Sequence, residues 1–266
     1  MNRDADTYES IMVFPCFNEE KRFRADVFLQ YAAEHPASLL LFVNDGSTDG
    51  TSSVLARLHH AFPTRVELLH LPTNRGKAEA VRQGFLRAFD SHPSFVGFWD
   101  ADLATPLEQI DVFLRILRDQ PTTAMVFGSR RREPGTAFER TFYRHAVGTC
   151  FAFLSSLLFT LPVYDTQCGA KIFRNSPGLR HAFKKPFLTK WLFDIEILAR
   201  MAPESATPSA SPVVQSHPLP CWKDIAGSKL ELKNYLLSAV HFLKIYRAYP
   251  HLRARRIRWK SSRTNR

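Results

Sequence analysis

Carboxylate side chains follow three apolar, strand-like runs in the first part of the chain, each at the point where the run stops. Asn18-Glu19-Glu20 follow residues 11–15, Asp45 follows residues 39–44, and Asp100-Ala101-Asp102 follow residues 95–99. In an open α/β sheet, ligands bind outside the carboxyl ends of the strands. The three runs therefore predict neighbouring strands whose ends form one shared acidic rim.

Strand and helix patterns alternate as far as about residue 130. The strand patterns cover residues 10–15, 38–44, 65–70, 94–99 and 124–128, and the helical patterns cover residues 20–34, 49–61, 75–91 and 106–119. Helices that alternate with strands are typical of a parallel sheet with helices on its faces. We therefore predict an α/β fold with a Rossmann-like, mostly parallel sheet. Pro106 fits the first position of a helix, with Thr105 as its N-cap residue.

The acidic rim indicates a bound divalent metal ion. Asp100 and Asp102 are two residues apart beyond a strand end, so both carboxylates can reach one ion that a substrate diphosphate also holds. Hard divalent cations prefer oxygen ligands of this kind. The alternative for this pair is a solvated loop without a ligand.

The chain is basic, with a formal net charge of +11 over 266 residues, 45% of them hydrophobic. The length and composition allow one sizeable core. The charge favours anionic partners and does not by itself choose among nucleic acid, an anionic membrane surface and phosphorylated substrates. The four cysteines show no C-x-x-C pairing, which favours a reducing compartment. Residues 1–10 are polar and do not resemble a secretory signal, so we expect the catalytic body to face the cytoplasm.

Two segments are candidates for membrane contact. Residues 146–161 carry no Asp, Glu, Lys or Arg, but the run is shorter than the roughly 20 residues of a spanning helix. We expect a core or membrane-surface helix over residues 142–161, a loop over 203–212 and no transmembrane helix. Residues 230–249 alternate apolar and basic side chains at helical spacing, and a basic tail follows at 253–266. We predict one domain over residues 1–225 and an amphipathic helix with a basic tail over 226–266, which can anchor the protein at a membrane surface.

The order of several motifs resembles glycosyltransferase family 2, which has the GT-A fold. The motifs are Pro15-Cys16-Phe17-Asn18-Glu19, Val43 to Thr51, Asn74-Arg75-Gly76-Lys77, Asp100-Ala101-Asp102, Gly128-Ser129-Arg130, Asp165 to Lys171, Trp191 to Glu196 and Gly227-Ser228-Lys229. The last four resemble the branch of dolichyl-phosphate β-glucosyltransferases. The likeness extends over residues 10–250. Ala104 stands where related mannosyl transferases often have Gln, which favours the glucosyl branch, whereas Ala170 replaces a common aromatic residue.

The resemblance implies a donor site for a nucleotide sugar on the acidic rim. The residues that match the family's donor positions are Pro15, Phe17, Glu19, Asp45, Lys77 and Asp100. Asp100 and Asp102 match the D-x-D pair that contacts Mg²⁺ or Mn²⁺. Two alternatives remain from the residues alone, since Asp45 also suits a turn and Lys77 also suits a solvated helix surface.

The resemblance also implies an acceptor site for a phosphate. Arg130 matches the acceptor-phosphate arginine best, Arg140 and Arg144 are further candidates, and Lys171 is a possible phosphate ligand. Asp194 matches a catalytic acidic position, so the implied catalytic set is Asp102, Arg130 and Asp194. The alternatives are purely structural roles, a helix N-cap for Asp194 and a surface cation for Lys171.

The implied activity is an inverting transfer of a hexose, glucose from UDP-glucose above all, to a polyprenyl or dolichyl phosphate at the cytoplasmic membrane face. A phosphate monoester is already an anion at neutral pH, with a second pKa of about 6, so this acceptor needs no strong general base. We expect no nucleic-acid partner. The alternatives are another donor such as GDP-mannose, a soluble or protein-linked acceptor, and a non-catalytic basic adaptor at the membrane.

Overall fold

The computed structural model describes residues 8–130, 137–139, 167–190, 192–202, 212–223, 232–250 and 258–261. The chain forms two compact units. The first comprises Met1–Leu103 with Ile172–Pro186, and the second comprises Ala104–Lys171 with Phe187–Arg266. The predicted boundary between residues 225 and 226 stays a prediction.

The described elements alternate between strand and helix in the first part of the chain. In chain order they are β1 (Ser10–Cys16), α1 (Ala25–Glu34), β2 (Ser38–Asp45), α2 (Thr51–Ala61), β3 (Val66–Leu71), α3 (Lys77–Phe89), β4 (Phe95–Trp99), α4 (Glu108–Asp119), β5 (Thr123–Ser129), β6 (Ala137–Glu139), β7 (Ala170–Arg174), α5 (Pro177–Lys184), α6 (Phe193–Met201), β8 (Val213–Pro218), β9 (Cys221–Lys223), α7 (Leu232–Ala248) and β10 (Arg258–Ser261).

The sheet of the first unit is parallel where β1 meets its two neighbours. Its strand order is β7-β4-β1-β2-β3, and β1 pairs in parallel with both β2 and β4. Cys16 at the end of β1 lies opposite Asn44 near the end of β2. Every residue of β2 and β4 is buried, as is almost all of β1, because helices cover the sheet. The carboxyl ends of these three strands therefore lie side by side at one edge.

Helix α3 packs directly on the centre of this sheet. A methyl group at Gly84 would lie 2.3 Å from a methyl carbon of Val13 and 3.0 Å from one of Val43, so only glycine allows this approach. On the same helix, Phe85 stacks on Phe183 with the ring centres 4.0 Å apart. Close packing at α3 fixes the position of the loop that precedes it.

The second unit has its own parallel strands. In the order β10-β8-β5, the central strand β8 pairs in parallel with both neighbours, and β6 pairs in parallel with β9. Ser129 at the end of β5 lies opposite Pro218 at the end of β8. The Ser129 carbonyl then accepts a hydrogen bond of 3.0 Å from the Leu219 amide. This contact sets the start of the segment that follows β5.

The structure confirms the predicted α/β class and the mostly parallel sheet. The five predicted strands agree with the observed ones to within one residue at each end. The first four helices begin two to five residues later than predicted, because the residues before them form loops. Thr105 was predicted to be the N-cap residue of α4. This prediction is wrong, since Leu107 takes that position. Two hydrogen bonds between residues three apart, Gln109 to Pro106 and Ile110 to Leu107, form a turn ahead of the helix.

The C-terminal helix expected over residues 230–249 is present as α7. Four residues of the expected basic tail form β10, a strand that the sequence pattern did not predict. The helix expected over 142–161 and the loop over 203–211 lie outside the described residues. Among the residues that the structure describes, no helix is long and apolar enough to cross a membrane.

The contact of α3 with the sheet gives a test of the fold. Gly84→Ala should lower the free energy of unfolding by about 1–3 kcal/mol, because the new methyl group overpacks Val13. Gly178→Ala in α5 is the matched control, since Gly178 is exposed and the Ser176 hydroxyl oxygen lies 3.9 Å from the position of the added methyl group. That change should be neutral or stabilise by up to about 1 kcal/mol. Urea unfolding measures both, and equal effects would contradict the proposed packing.

Candidate functional site

The predicted acidic residues of the first unit follow the ends of β1, β2 and β4. Glu19 lies in the loop after β1, Asp45 is the last residue of β2, and Asp100 and Asp102 follow β4. Glu19 and Asp45 are buried, whereas Asp100 and Asp102 are half-buried. The parallel strand order thus places all four carboxylates at the same edge of one sheet.

Asp45 holds the loop that leads into α3. One carboxylate oxygen accepts the Arg75 amide and the other accepts the Gly76 amide, each at 2.8 Å. Gly76 has a φ of +92°, which is open to glycine at little cost. Asp45 is only 2% exposed. Its carboxylate therefore has a clear structural task, and its contact with a nucleotide stays a prediction.

Lys77 pairs with the first carboxylate of the D-x-D motif. Its ammonium group donates to an oxygen of Asp100 and lies 5.9 Å from the centre of the Phe98 ring. Lys77 is the first residue of α3, directly after the loop that Asp45 holds. The lysine is therefore an ion-paired residue of the acidic rim, rather than the solvated helix cation of the alternative interpretation.

Arg22 is a residue of this rim that the sequence did not reveal. Its guanidinium group donates to both carboxylate oxygens of Glu19. The hydrogen bond to Glu19 raises the pKa of Arg22, and attraction to Asp102 and Asp100 raises it further. The guanidinium charge thus acts on the D-x-D carboxylates too. The spacing of three residues between Glu19 and Arg22 was the available signal.

The loops after β1 and β2 are held together by side-chain to backbone hydrogen bonds. The Asn18 amide donates to the hydroxyl of Ser47 at 3.0 Å, and the Thr48 amide donates to the side-chain oxygen of Asn18 at 2.9 Å. Asn18 has a φ of +54°, a conformation that asparagine tolerates better than most residues. These contacts fix the segment in which Pro15 and Phe17 lie, both half-buried.

The donor set on this rim fits a divalent ion that is shared with a substrate. Among the described residues, no group of three or more His, Cys, Asp or Glu side chains is arranged to enclose a metal. Mg²⁺ is commonly held by one or two carboxylates together with phosphate oxygens and water. A carboxylate can accept several bonds, so the contact with Lys77 leaves Asp100 with capacity to ligate a metal. Asp100 and Asp102 therefore suit a metal that enters with a diphosphate.

Arg130 lies in the second unit, directly after β5. Its guanidinium carbon lies 5.1 Å from the centre of the Trp222 ring in β9. A guanidinium group that stacks on an aromatic face can still present its planar edge to a phosphate. Trp222 is a second residue that the sequence did not reveal, because it lies about ninety residues from Arg130 along the chain.

Lys171 and Asp194 form a buried ion pair in the second unit. The Lys171 ammonium lies 2.6 Å from an Asp194 oxygen and also donates to the Cys168 carbonyl. Lys171 is 1% exposed, so the alternative of a surface cation is wrong. Asp194 lies in the first turn of α6, whose N-cap residue is Leu192, so the N-cap alternative is also wrong. The roles of Lys171 as a phosphate ligand and of Asp194 in catalysis stay predictions.

Glu196 connects three segments of the same unit. Its carboxylate accepts the Leu188 amide at 2.9 Å, the Arg200 guanidinium at 2.6 Å and the Tyr249 hydroxyl at 2.9 Å. Burial raises the pKa of Tyr249, and the charge of Glu196 adds to this effect. The sequence motif placed Glu196 beside Asp194 without showing that it joins α6 to the residue after α7.

Some predicted residues lie outside the described part of the chain. Arg140, Arg144 and Asp165 belong to this group, as do Arg131 and Arg132. Their assignments from the sequence stay predictions.

Comparison with known proteins shows which family this chain resembles. The family model "Glycosyl transferase family 2" matches residues 11–184. Human dolichyl-phosphate beta-glucosyltransferase is 32% identical in an alignment 241 residues long that covers 85% of this chain and 71% of the human protein. The family model extends over the D-x-D motif and Lys171 and ends before Asp194.

Two solved structures confirm the expected GT-A class of fold. One is Mycobacterium tuberculosis glucosyl-3-phosphoglycerate synthase, in complex with Mn²⁺, UDP-glucose and phosphoglyceric acid. Its TM-score is 0.62 at 16% identity, and the alignment covers 90% of this chain and 80% of the synthase chain. The mannosyltransferase PcManGT from Pyrobaculum calidifontis, in complex with GDP-mannose and Mn²⁺, has a TM-score of 0.56 at 17% identity, with 93% and 71% covered.

The buried pair of the second unit gives a stability test. Lys171→Met should lower the free energy of unfolding by about 3–5 kcal/mol, because it leaves the Asp194 carboxylate buried without its cation. The double variant Lys171→Met/Asp194→Leu should recover most of this loss, since an apolar pair can replace a buried ion pair. Urea unfolding of the single and double variants measures the coupling.

Lys184→Met is the control for removing a lysine charge, because Lys184 is exposed. We expect a change within about 0.5 kcal/mol for this variant. A double variant that is as unstable as the sum of its two single variants would show that Lys171 and Asp194 are not coupled.

Proposed function

The chain belongs to glycosyltransferase family 2 and is a glycosyltransferase, and on that premise we propose that it transfers glucose from UDP-glucose to a dolichyl or polyprenyl phosphate. The transfer inverts the anomeric centre in a single displacement, at the cytoplasmic face of a membrane. The 32% identity with human dolichyl-phosphate beta-glucosyltransferase, over 85% of this chain, supports the acceptor and the sugar. The observation that carries the proposal is the paired rim of Asp100, Lys77, Glu19 and Arg22 beside Asp102.

The rim supports the binding of a nucleotide diphosphate with a divalent metal. Asp100 and Asp102 would hold Mg²⁺ or Mn²⁺, as their carboxylates suit a metal shared with phosphate oxygens. When bound, the metal neutralises charge on the departing nucleoside diphosphate. The two structural relatives were solved with Mn²⁺ and a nucleotide sugar, which is consistent with this proposal.

The cations of the rim have complementary tasks. Lys77 is paired with Asp100 and is placed by the loop that Asp45 holds, so it can move to a diphosphate oxygen without a change of backbone. Arg22 keeps the Glu19 carboxylate in one orientation through two hydrogen bonds. We infer that these contacts hold the rim in order before the donor arrives, which reduces the cost of arranging charges during binding.

The acceptor chemistry requires cations more than a base. The phosphate monoester of the lipid is ionised at neutral pH, so its oxygen can attack the sugar without prior loss of a proton. In this proposal the edge of the Arg130 guanidinium group binds that phosphate, and the Trp222 ring packs against one face of the same group. Asp194, buried against Lys171, then orients groups near the acceptor and does not act as a general base.

A transfer assay tests the reaction. Purified protein, polyprenyl phosphate in detergent and Mg²⁺ or Mn²⁺ are incubated with radiolabelled UDP-glucose or, in parallel, GDP-mannose. We expect label in the organic phase from UDP-glucose only, and its loss when EDTA removes the metal. Label from GDP-mannose alone would identify the other donor. Binding of either nucleotide sugar without lipid label would contradict the lipid acceptor.

The role of Asp102 is tested with a matched carboxylate variant. Asp102→Asn should lower the transfer rate about a hundredfold or more, because several kcal/mol of charge stabilisation depend on the metal. Asp119→Asn removes an exposed carboxylate at the end of α4 and should leave the rate unchanged. Similar rates for wild type and Asp102→Asn at saturating donor would remove Asp102 from the metal site.

The role of Arg130 is tested by separating the two substrates. Arg130→Ala should raise the KM for polyprenyl phosphate about tenfold to a hundredfold, the value of one or two charge-assisted hydrogen bonds. Hydrolysis of UDP-glucose in the absence of lipid should stay near the wild-type rate. Arg115→Ala, which removes an exposed arginine of α4, is the control. An equal fall of hydrolysis and transfer would show that Arg130 is not an acceptor ligand.

A further inference from the structure

Large apolar side chains are strongly exposed at three positions among the described residues. Leu188 is 48% exposed, Val240 is 53% exposed and Leu243 is 46% exposed. All three belong to the second unit, and two of them lie on α7. Scattered exposed leucines need no explanation, so the question is whether these residues share one surface with charges of one sign.

The described turns of α7 have two distinct faces. Val240, Leu243, Lys244 and Arg247 are spaced by three, one and three residues, which places them on one face of a helix with 3.6 residues per turn. All four are exposed. Phe242 and Ile245 point the other way and are almost fully buried. The inner face therefore packs against the protein. We call the four exposed residues the outer face of α7, and this face combines aliphatic side chains with cations.

The C-terminal end of α7 is fixed next to Leu188. The Tyr249 hydroxyl, one residue beyond the helix, donates to the Glu196 carboxylate at 2.9 Å. The backbone amide of Leu188 donates to the other oxygen of the same carboxylate, also at 2.9 Å. The Arg200 guanidinium donates to both Glu196 and Tyr249. The Glu196 carboxylate thus joins the backbone at Leu188 to the residue that follows α7.

The charged residues of α7 have one sign. Residues 232–250 contain three Lys or Arg residues and no Asp or Glu. Lys190, two residues after Leu188, is exposed as well. An occupant that covers the outer face must accept aliphatic side chains and must be anionic. A second copy of this chain fits poorly, because it would bring a net charge of +11 to the same contact.

We propose that the outer face of α7 docks on an anionic phospholipid bilayer. Aliphatic side chains between cations match the boundary between acyl chains and charged head groups. Nucleic acid is a weaker match, since single strands are usually stacked on aromatic side chains, and the outer face of α7 has none. The inference rests on the proposed function, because an enzyme that uses a polyprenyl phosphate must reach the membrane surface.

Vesicle sedimentation tests the surface without any sugar donor or acceptor. The protein is mixed with vesicles of phosphatidylcholine, with or without phosphatidylserine. We expect binding that rises with phosphatidylserine content and weakens with added salt. The charge variant Lys244→Gln/Arg247→Gln should lower the partition coefficient for the anionic vesicles about thirtyfold, since each cation at the surface contributes about fivefold.

Matched variants separate the surface from net charge and from folding. Arg57→Gln/Arg115→Gln removes two exposed cations from α2 and α4 and should leave most of the binding intact. The apolar variant Val240→Ser/Leu243→Ser should weaken binding at every salt concentration, because it removes the part that salt does not screen. Thermal unfolding of each variant should stay close to wild type, since all of these side chains are exposed.

Several results would overturn the inference. An equal loss for the two charge variants would show that net charge alone drives binding. Equal binding to neutral and anionic vesicles would contradict the anionic partner. Tighter binding to single-stranded RNA than to vesicles, or a dimer that Val240→Ser/Leu243→Ser dissociates, would assign the surface to another occupant.

Transfer to polyprenyl phosphate in detergent distinguishes this inference from the proposed function. The α7 variants should keep the wild-type rate there, because no bilayer is present. Transfer in detergent without binding to vesicles would reject the docking surface and keep the reaction. Binding to anionic vesicles without transfer from any donor would reject the reaction and keep the surface.

Discussion

The parallel pairing of β4, β1 and β2 is the constraint on which the site depends. Three buried parallel strands must end at the same edge, so whatever residues follow them are brought together. In this chain those residues are carboxylates, which repel one another unless each has a partner. Backbone amides satisfy Asp45, Lys77 pairs with Asp100, and Arg22 pairs with Glu19. The fold thus creates a concentration of negative charge, and the loops supply its compensation.

Burial separates the structural carboxylates from those that are available to a ligand. Asp45 and Glu196 are buried, and each holds segments of chain together through several hydrogen bonds. Asp100 and Asp102 are half-buried at a strand end, which leaves them accessible to the metal and the diphosphate that we propose. A family 2 glycosyltransferase needs both kinds, because a site that gathers anions works only if its own charges are held in place.

The strands were predictable because apolar runs of strand length, bounded by loops, directly reflect burial on both faces of a sheet. The starts of the helices were less predictable. The residues before each helix make loop contacts, and the spacing of apolar residues does not indicate such contacts. Thr105 has the right chemistry for an N-cap, yet the chain makes a turn at Pro106 and starts the helix later. Trp222 was missed because tertiary packing brings it to Arg130, which no motif indicates. Arg22 was missed although its partner Glu19 is only three residues away, because the motif ends at Glu19.

The sequence by itself determined the α/β alternation, the carboxylates at three strand ends and the membership of the family, because these depend on local pattern and on the order of motifs. Only the tertiary structure decided that Lys171 is buried against Asp194, and that Glu196 joins α6 to Tyr249. It also decided which face of α7 meets the core. The physical reason is that burial and charge pairing depend on distances between residues far apart in the chain, which spacing along a sequence does not specify.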